Sequence, residues 1–366
     1  MLSGIFGRKK TGDDDVSGRK VTQDDFQIVS HLGKGAHGKV TLVLMKDTNE
    51  LYAMKVIPKD HVLNKGRLQD LFSERSVMRR IRHPFITRLE YAFQSTDRLF
   101  FVMQYMDGGN LDEFLNSLPD NRLPEEVVRF YAAQIYLALQ FLHENDIIYR
   151  DVKPENILLD SLGHSCLADF GLARDFQLLP QSADDAANPE VLSDRTTSFV
   201  GSPFYVAPDV LRQQTYGKSV DWWSFGILIA RMLTSKLPFS SNSIRDLFDC
   251  IMFDEPPYAE YRFLSTEAQD LITQLLLKEE NMRLTGQQIR DHPWFQDVDW
   301  DAVYNKEYPI PEFMGEHAEY FEKYSVPLDT DNPASSQAID ISSHQQGLFD
   351  GFTYVNSGLL SGLSGP

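Results

Sequence analysis

Two short stretches crowd groups that can do chemistry into very little chain. "YRDVKPEN" offers Asp151, Lys153 and Asn156, a carboxylate, an ammonium and an amide, and "DFG" follows at Asp169, Phe170 and Gly171. Upstream, Lys55 in "YAMK" stands in an apolar, strand-like run. An ammonium is costly to bury without a counter-charge, so Lys55 needs an anion. Glu74, in a stretch of helical period, is the obvious candidate. "GKGAHGKV" adds Gly33, Gly35 and Gly38 between two strand-like runs. Their spacing lets backbone amides approach phosphate oxygens with no Cβ in the way. Many glycine-rich hairpins bind nothing, and a dinucleotide fingerprint needs a helix directly after the glycines. "KVTLVLM" reads as strand, which removes the dinucleotide reading.

The elements that must position these groups follow from periodicity. From Asp24 to about Tyr105, "FQIVSHLG", "KVTLVLM", "LYAMKVI", "ITRLEYAFQ" and "RLFFVMQY" are β-branched and aromatic runs bounded by turn residues. "RLQDLFSERSVMRRI" interrupts them with helical period, its apolar set being Leu68, Leu71, Phe72, Val77, Met78 and Ile81. A sheet with one helix is therefore expected first. After Gly108 and Gly109 the period becomes helical: Val127, Tyr131, Ile135, Ala138 and Leu142 share one face, with Pro124 near a favoured first-turn position. "DWWSFGILIARMLT" is apolar nearly all round and reads as a buried central helix, whereas "DTDNPASSQAIDISSHQQ" reads as a loose tail.

Taken in order, these motifs resemble those of the eukaryotic protein kinases, over about Phe26 to Phe295. The resemblance implies an α+β fold of two lobes: a small β-rich lobe with one regulatory helix (24–105) and a larger, mainly helical lobe (110–295). An extension (1–23) would precede this kinase domain and a tail (296–366) would follow it. It implies ATP and Mg²⁺ as cofactors, with Lys55, held by Glu74, on the α and β phosphates. Asn156 and Asp169 would hold the metal, Asp151 would accept the proton of the attacking hydroxyl, and Lys153 would steady the γ-phosphate. By the same resemblance Val40, Ala53, Met103 and Leu158 wall the adenine beneath the glycine loop, and Gln104 and Met106 pair with its edge. Met78, Leu89, Tyr149 and Phe170 form a stacked apolar column between the lobes.

Lys153 two positions after Asp151, and Ser202 in "GSPFY", are similar to serine/threonine kinases. Tyr149 in place of the more common histidine, "HPFITRLEYAFQ" and the phenylalanine tail look like the AGC group, relatives of cyclic-AMP-dependent kinase, protein kinase C and Akt. "EYFEKYSVP" resembles that group's segment across the ATP site, with Phe321 as its aromatic. "GLFDGFTYV" resembles its hydrophobic motif (349–354), which implies that Phe349 and Phe352 dock on the small lobe and that Thr353 is a phosphosite. Ser198, four residues before Ser202, is the expected activation-loop phosphosite, with Arg150 and Arg174 converging on its dianion.

The sequence also departs from that pattern. Residues 179–194 look inserted and acidic, and "APD" replaces the usual "APE", so Asp209 must reach Arg283 with one methylene less. Asn110, Phe204 and Arg231 stand where basophilic relatives place acids that read substrate arginines, while Glu155 is retained. An Arg-Arg preference is therefore not expected. Phe199, Pro203 and Val206 still form an apolar pocket for the residue after the target. Asp70 lies one turn before Glu74, where several relatives carry a base that ties the helix to the phosphorylated loop; the tail is then expected to supply more of the ordering.

Composition narrows the class further. The 366 residues have the globular balance of 42% hydrophobic and 24% charged residues, and their formal charge of -18 argues against bulk nucleic-acid binding. Cys166 and Cys250 sit in apolar surroundings as reduced thiols, neither a disulfide framework nor a metal site. Leu2 occupies the place where myristoylation requires glycine, so no stable membrane anchor is expected. The expected protein is a cytoplasmic, or also nuclear, monomeric serine/threonine kinase that acts on protein substrates and answers to an upstream activating kinase. The alternative is a pseudokinase scaffold that binds nucleotide or partners without catalysis.

Overall fold

The computed structural model describes residues 21–35, 38–64, 68–178, 196, 198, 200–213, 215–322 and 346–356. The 1–20 part of the expected extension, the 179–194 insert, Thr197, Phe199 and the tail between 323 and 345 lie outside the described residues.

Runs of β-branched and aromatic residues, buried along most of their length, build a first lobe around one antiparallel sheet. Its strands are β1 (Phe26–Gly35), β2 (Gly38–Met45), β3 (Leu51–Pro58), β4 (Leu89–Gln94) and β5 (Arg98–Gln104), in the order β1-β2-β3-β5-β4. Gly38 is a packing requirement, since a Cβ there would collide with the Val56 carbonyl oxygen. Helix α1 (Lys59–Asn64) precedes α2 (Leu68–Arg80), the helix expected from the period around Glu74. The sequence pattern did not signal α1, because six residues are too few to display a helical period. On α2, Leu71, Val77 and Met78 are buried with Ile81 just beyond, while Leu68 and Phe72 are half-buried.

The second lobe begins with α3 (Leu111–Ser117), capped by the Asn110 side chain, which accepts from Glu113 N at 2.9 Å. The long α4 (Glu125–Glu144) buries Val127, Tyr131, Ile135, Ala138 and Leu142, the face read from its period. Four short strands carry the polar motifs: β6 (Ile147–Ile148) pairs with β9 (Arg174–Asp175), and β7 (Ile157–Leu159) with β8 (Ser165–Leu167). Helices α5 (Pro208–Leu211), α6 (Ser219–Thr234), α7 (Ile244–Phe253), α8 (Thr266–Leu275), α9 (Gly286–Arg290) and α10 (Trp300–Tyr304) complete the lobe. Nearly every residue of α6 is buried, as an apolar run without a polar face demands. Asp209 reaches Arg283 Nη2 at 2.8 Å, so the shorter acid keeps the pair.

The end of the chain returns to the first lobe. Its strand β10 (Tyr354–Val355) pairs antiparallel with β4, Tyr354 opposite Ala92 and Val355 opposite Tyr91, and becomes the sixth strand of the sheet. Cys166 is buried, Cys250 is half-buried, and both are free thiols. Among the described residues, no helix is long and apolar enough to cross a membrane.

Candidate active site

The sheet and α2 bring the first set of charges together. Lys55 points from β3 to Glu74 on α2, Nζ to Oε1 2.7 Å, and to Asp169 Oδ1 at 3.1 Å. The Lys55 and Glu74 side chains are 7% and 5% exposed, whereas Asp169 is 40% exposed and faces outward. Burial disfavours the Lys55 ammonium, but the Glu74 and Asp169 carboxylates outweigh it and hold its pKa above the ordinary lysine value. Asp169 adopts φ 51°, a left-handed conformation uncommon outside glycine and held here by its surroundings. Phe170 behind it is fully buried and meets the Tyr149 ring edge-on at 5.3 Å. Met78 and Leu89 belong to the same continuous core, so the four residues of the expected column lie in one apolar body.

A second cluster forms on the loop between β6 and β7. The Asp151 carboxylate accepts from Lys153 Nζ at 2.8 Å, from Asn156 Nδ2 at 2.7 Å and from the Ser202 hydroxyl at 2.9 Å. Lys153 also donates to Ser202 Oγ at 2.8 Å, so one hydroxyl is held between the carboxylate and the ammonium. Sequence reasoning missed what fixes this loop. Asp221, at the start of α6 and fully buried, accepts from Tyr149 N at 2.9 Å, Arg150 N at 2.7 Å and His143 Nε2 at 2.7 Å. The available signal was an acid inside an otherwise apolar helix.

The residues expected to wall the adenine lie on strands of both lobes. Val40 on β2 lies opposite Lys55, Ala53 on β3 lies opposite Met103 on β5, and Leu158 on β7 bridges to Asn110. The Gln104 amide donates to the Arg88 carbonyl at 3.0 Å, and Met106 is buried just beyond. A Cβ on Gly33 would meet nothing within 4 Å, so open space adjoins this part of the glycine hairpin.

Residues 26–295 match the protein kinase domain family. The chain belongs to that family. It is similar to a RAC family serine/threonine-protein kinase homolog of Dictyostelium discoideum, 38% identical over 92% of this chain and 73% of that protein. It is similar also to the human RAC-beta serine/threonine-protein kinase, 39% identical over 78% of this chain and 57% of that protein. Protein kinase C-like 1B of Caenorhabditis elegans is 36% identical over 93% of this chain and 47% of that protein. The protein is a serine/threonine protein kinase of the AGC group.

The family implies ATP and a divalent metal. Among the described residues, no three His, Cys, Asp or Glu side chains gather into a cage. Asp169 and Asn156 instead offer two hard oxygen donors, the sparse set that suits a cation completing its shell with phosphate oxygens and water. The residues present fit the group.

The kinase's other expected sites are also placed. Arg150, at φ 67°, donates to the Ser198 hydroxyl at 2.5 Å and to the Leu172 carbonyl at 2.7 Å. Arg174 Nε is buried with no hydrogen-bond partner among the described residues. Burial and the nearby Arg150 guanidinium lower the Arg174 pKa, with Asp70 partly offsetting them. Phe349 and Phe352 have no exposed surface. The Phe352 ring meets Phe101 at 5.2 Å and Phe72 at 6.2 Å, and Lys59 Nζ lies 4.8 Å from the Phe349 ring. Thr353 is exposed beside Arg75, which donates to its carbonyl at 3.3 Å. Phe321 differs from expectation. The structure seats it against Phe114 of α3 at 5.3 Å and close to Gly163, because that apolar flank offers a ring more burial than an open cleft does.

Proposed function

We propose that the protein transfers the γ-phosphoryl group of ATP to serine and threonine hydroxyls of protein substrates, with Mg²⁺ as the metal. Lys55, fixed by Glu74, holds the α and β phosphates. Met103, Ala53, Val40 and Leu158 enclose the adenine, the Gln104 carbonyl and Met106 amide meet its edge, and Gly33, Gly35 and Gly38 leave room for the phosphates. Asp169 and the Asn156 amide oxygen hold Mg²⁺, which supplies charge neutralisation on the phosphate oxygens when bound. Asp151 takes the proton of the substrate hydroxyl as that oxygen attacks the γ-phosphorus. The bond to the bridging oxygen breaks, ADP leaves, and Lys153 offsets the negative charge at the transferred group.

The observation that carries this reading is the joint placement of the two clusters, Lys55 with Glu74 and Asp169, and Asp151 with Lys153 and Asn156. Phosphorylation of Ser198 and Thr353, by an upstream kinase at least at Ser198, raises activity. Residues 296–366 act as a regulatory tail on the 24–295 catalytic domain.

Substrate choice follows the charges around Tyr205, three residues past Ser202. Burial pushes the Tyr205 phenol up, with Glu155 adding to it and Arg231 opposing. Arg231 donates to the Asn121 carbonyl at 2.8 Å and has no carboxylate within ion-pair reach among the described residues. The surroundings of Tyr205 therefore present both signs, and the preferred substrate carries an acidic as well as a basic residue near its target. An oriented peptide library with ATP and Mg²⁺ tests this: phosphoserine and phosphothreonine without phosphotyrosine, and selection of both charges, are expected. Selection of paired arginines that Arg231→Glu leaves unchanged would refute the substrate reading.

A further inference from the structure

The Lys55–Glu74 and Lys55–Asp169 contacts are two links of a circuit that the chain closes elsewhere. Arg80 ends α2, six residues after Glu74, and Asp175 lies in β9, six residues after Asp169. Arg80 Nη2 meets Asp175 Oδ2 at 2.9 Å and donates to the Asn145 carbonyl at 3.0 Å, while Nη1 donates to Gln177. The Asp175 side chain has no exposed surface, and its Oδ1 accepts from Gln177 N at 2.9 Å.

The far side of this contact is anchored in the large lobe. β9 pairs with β6, Asp175 opposite Ile147. Gln177 Nε2 donates to Asp146 at 3.2 Å, and Lys218, just ahead of α6, holds the other Asp146 oxygen at 3.0 Å.

We propose that Arg80 is a positioning residue for phosphoryl transfer. Its clamp on Asp175 sets Glu74 and Asp169 on either side of Lys55, and it does so without loop phosphate. An α-helix is stiff along its axis, rising about 1.5 Å per residue, so fixing Arg80 restricts where Glu74 can go. Swinging α2 outward would take the guanidinium from a carboxylate that has no exposed surface while the pair is made, and losing one partner of a buried pair is disfavoured. The inward position of α2 is thereby favoured before Ser198 is modified. Asp70, an acid near the start of α2, need not take part, because the tie lies at the other end of the helix.

This inference rests on the catalytic reading above, and wild-type turnover tests that reading separately. The decisive experiment is a double-mutant cycle on the full chain, with kcat and peptide KM measured for wild type, Arg80→Ala, Asp175→Asn and the double variant. Each is prepared with Ser198 intact and as Ser198→Ala, with folding checked by thermal denaturation. Each single change is expected to lower kcat about tenfold with peptide KM unchanged. The double variant should be no slower than the singles, as befits one shared contact. The fold-loss should be equal in both Ser198 backgrounds. Active wild type with Arg80→Ala within about twofold of it, losses that add, or an effect that vanishes in Ser198→Ala would each overturn the clamp.

Discussion

Asp221 shows how a single buried charge can set a reactive loop. Its carboxylate takes two backbone amides and one imidazole, so the chain immediately before Asp151 has almost no freedom. Asp221→Ala leaves those three donors inside the core, each costing about 1–3 kcal/mol where no water replaces the carboxylate. We expect a loss of about 3–5 kcal/mol in urea denaturation, together with a lower kcat; a stability change under 1 kcal/mol would contradict the role. This residue was hard to read from sequence because a buried acid has no periodicity, whereas Asp151, Lys153 and Asn156 were legible from their close spacing. Ser198 stands beside the same loop. Its hydroxyl already touches Arg150, and a phosphate there would gain charge-assisted bonds. Ser198→Ala should lower kcat at least about tenfold, and mass spectrometry of active enzyme should find Ser198 modified. Full activity of the alanine variant with Ser198 unmodified would remove this site from regulation.

Among the elements, the tail depends on more than its two phenylalanines. Gln346 joins Gln94 and the Ser95 carbonyl around the buried Lys59 ammonium, with Nζ to oxygen distances of 2.7, 2.8 and 2.8 Å. Asn356 closes the other end, donating from its backbone to the Glu90 carbonyl at 2.8 Å and taking Arg82 on its side-chain oxygen. The phenylalanines were visible as an apolar pair in a polar segment. Gln346, Asn356 and strand β10 were not, because their partners lie at the opposite end of the chain and leave no trace in local pattern. Burying two phenylalanines contributes about 3–6 kcal/mol, of which about 1–3 remains after the entropy of ordering the segment. Phe349→Ala with Phe352→Ala, or deletion after Gly347, should therefore lower kcat roughly ten- to a hundredfold with the fold retained. A peptide of residues 346–356 should restore it in trans. Unchanged turnover in the deletion would show that docking has no bearing on catalysis.

Across the whole molecule, the lobes meet through a continuous apolar core, and one histidine makes that seam sensitive to acid. His83, between α2 and β4, stacks on Phe141 of α4 at 5.1 Å and meets Tyr304 of α10 at 5.4 Å. Burial pushes its pKa down to about 4 from 6.5. The unfolded chain therefore binds this proton more readily, and stability falls as pH drops from 6.5 towards 4, by about 3 kcal/mol in all. His83→Gln should flatten that limb of a stability-versus-pH curve; an unaltered slope would assign the acid sensitivity elsewhere. The two-lobe arrangement was readable because the strand-like hydrophobic period, interrupted only by α2, becomes helical past Gly108. The seat of Phe321 was not, since an aromatic residue announces burial but not its partner. The two polar clusters should work as one catalytic centre, and transfer of labelled γ-phosphate from ATP measures this. Wild type should label a serine/threonine peptide, while Lys55→Met and Asp151→Asn, each still folded, lose at least about 10²-fold in rate. A wild-type chain that binds ATP with Mg²⁺ yet transfers nothing, or variants that transfer at the wild-type rate, would contradict it.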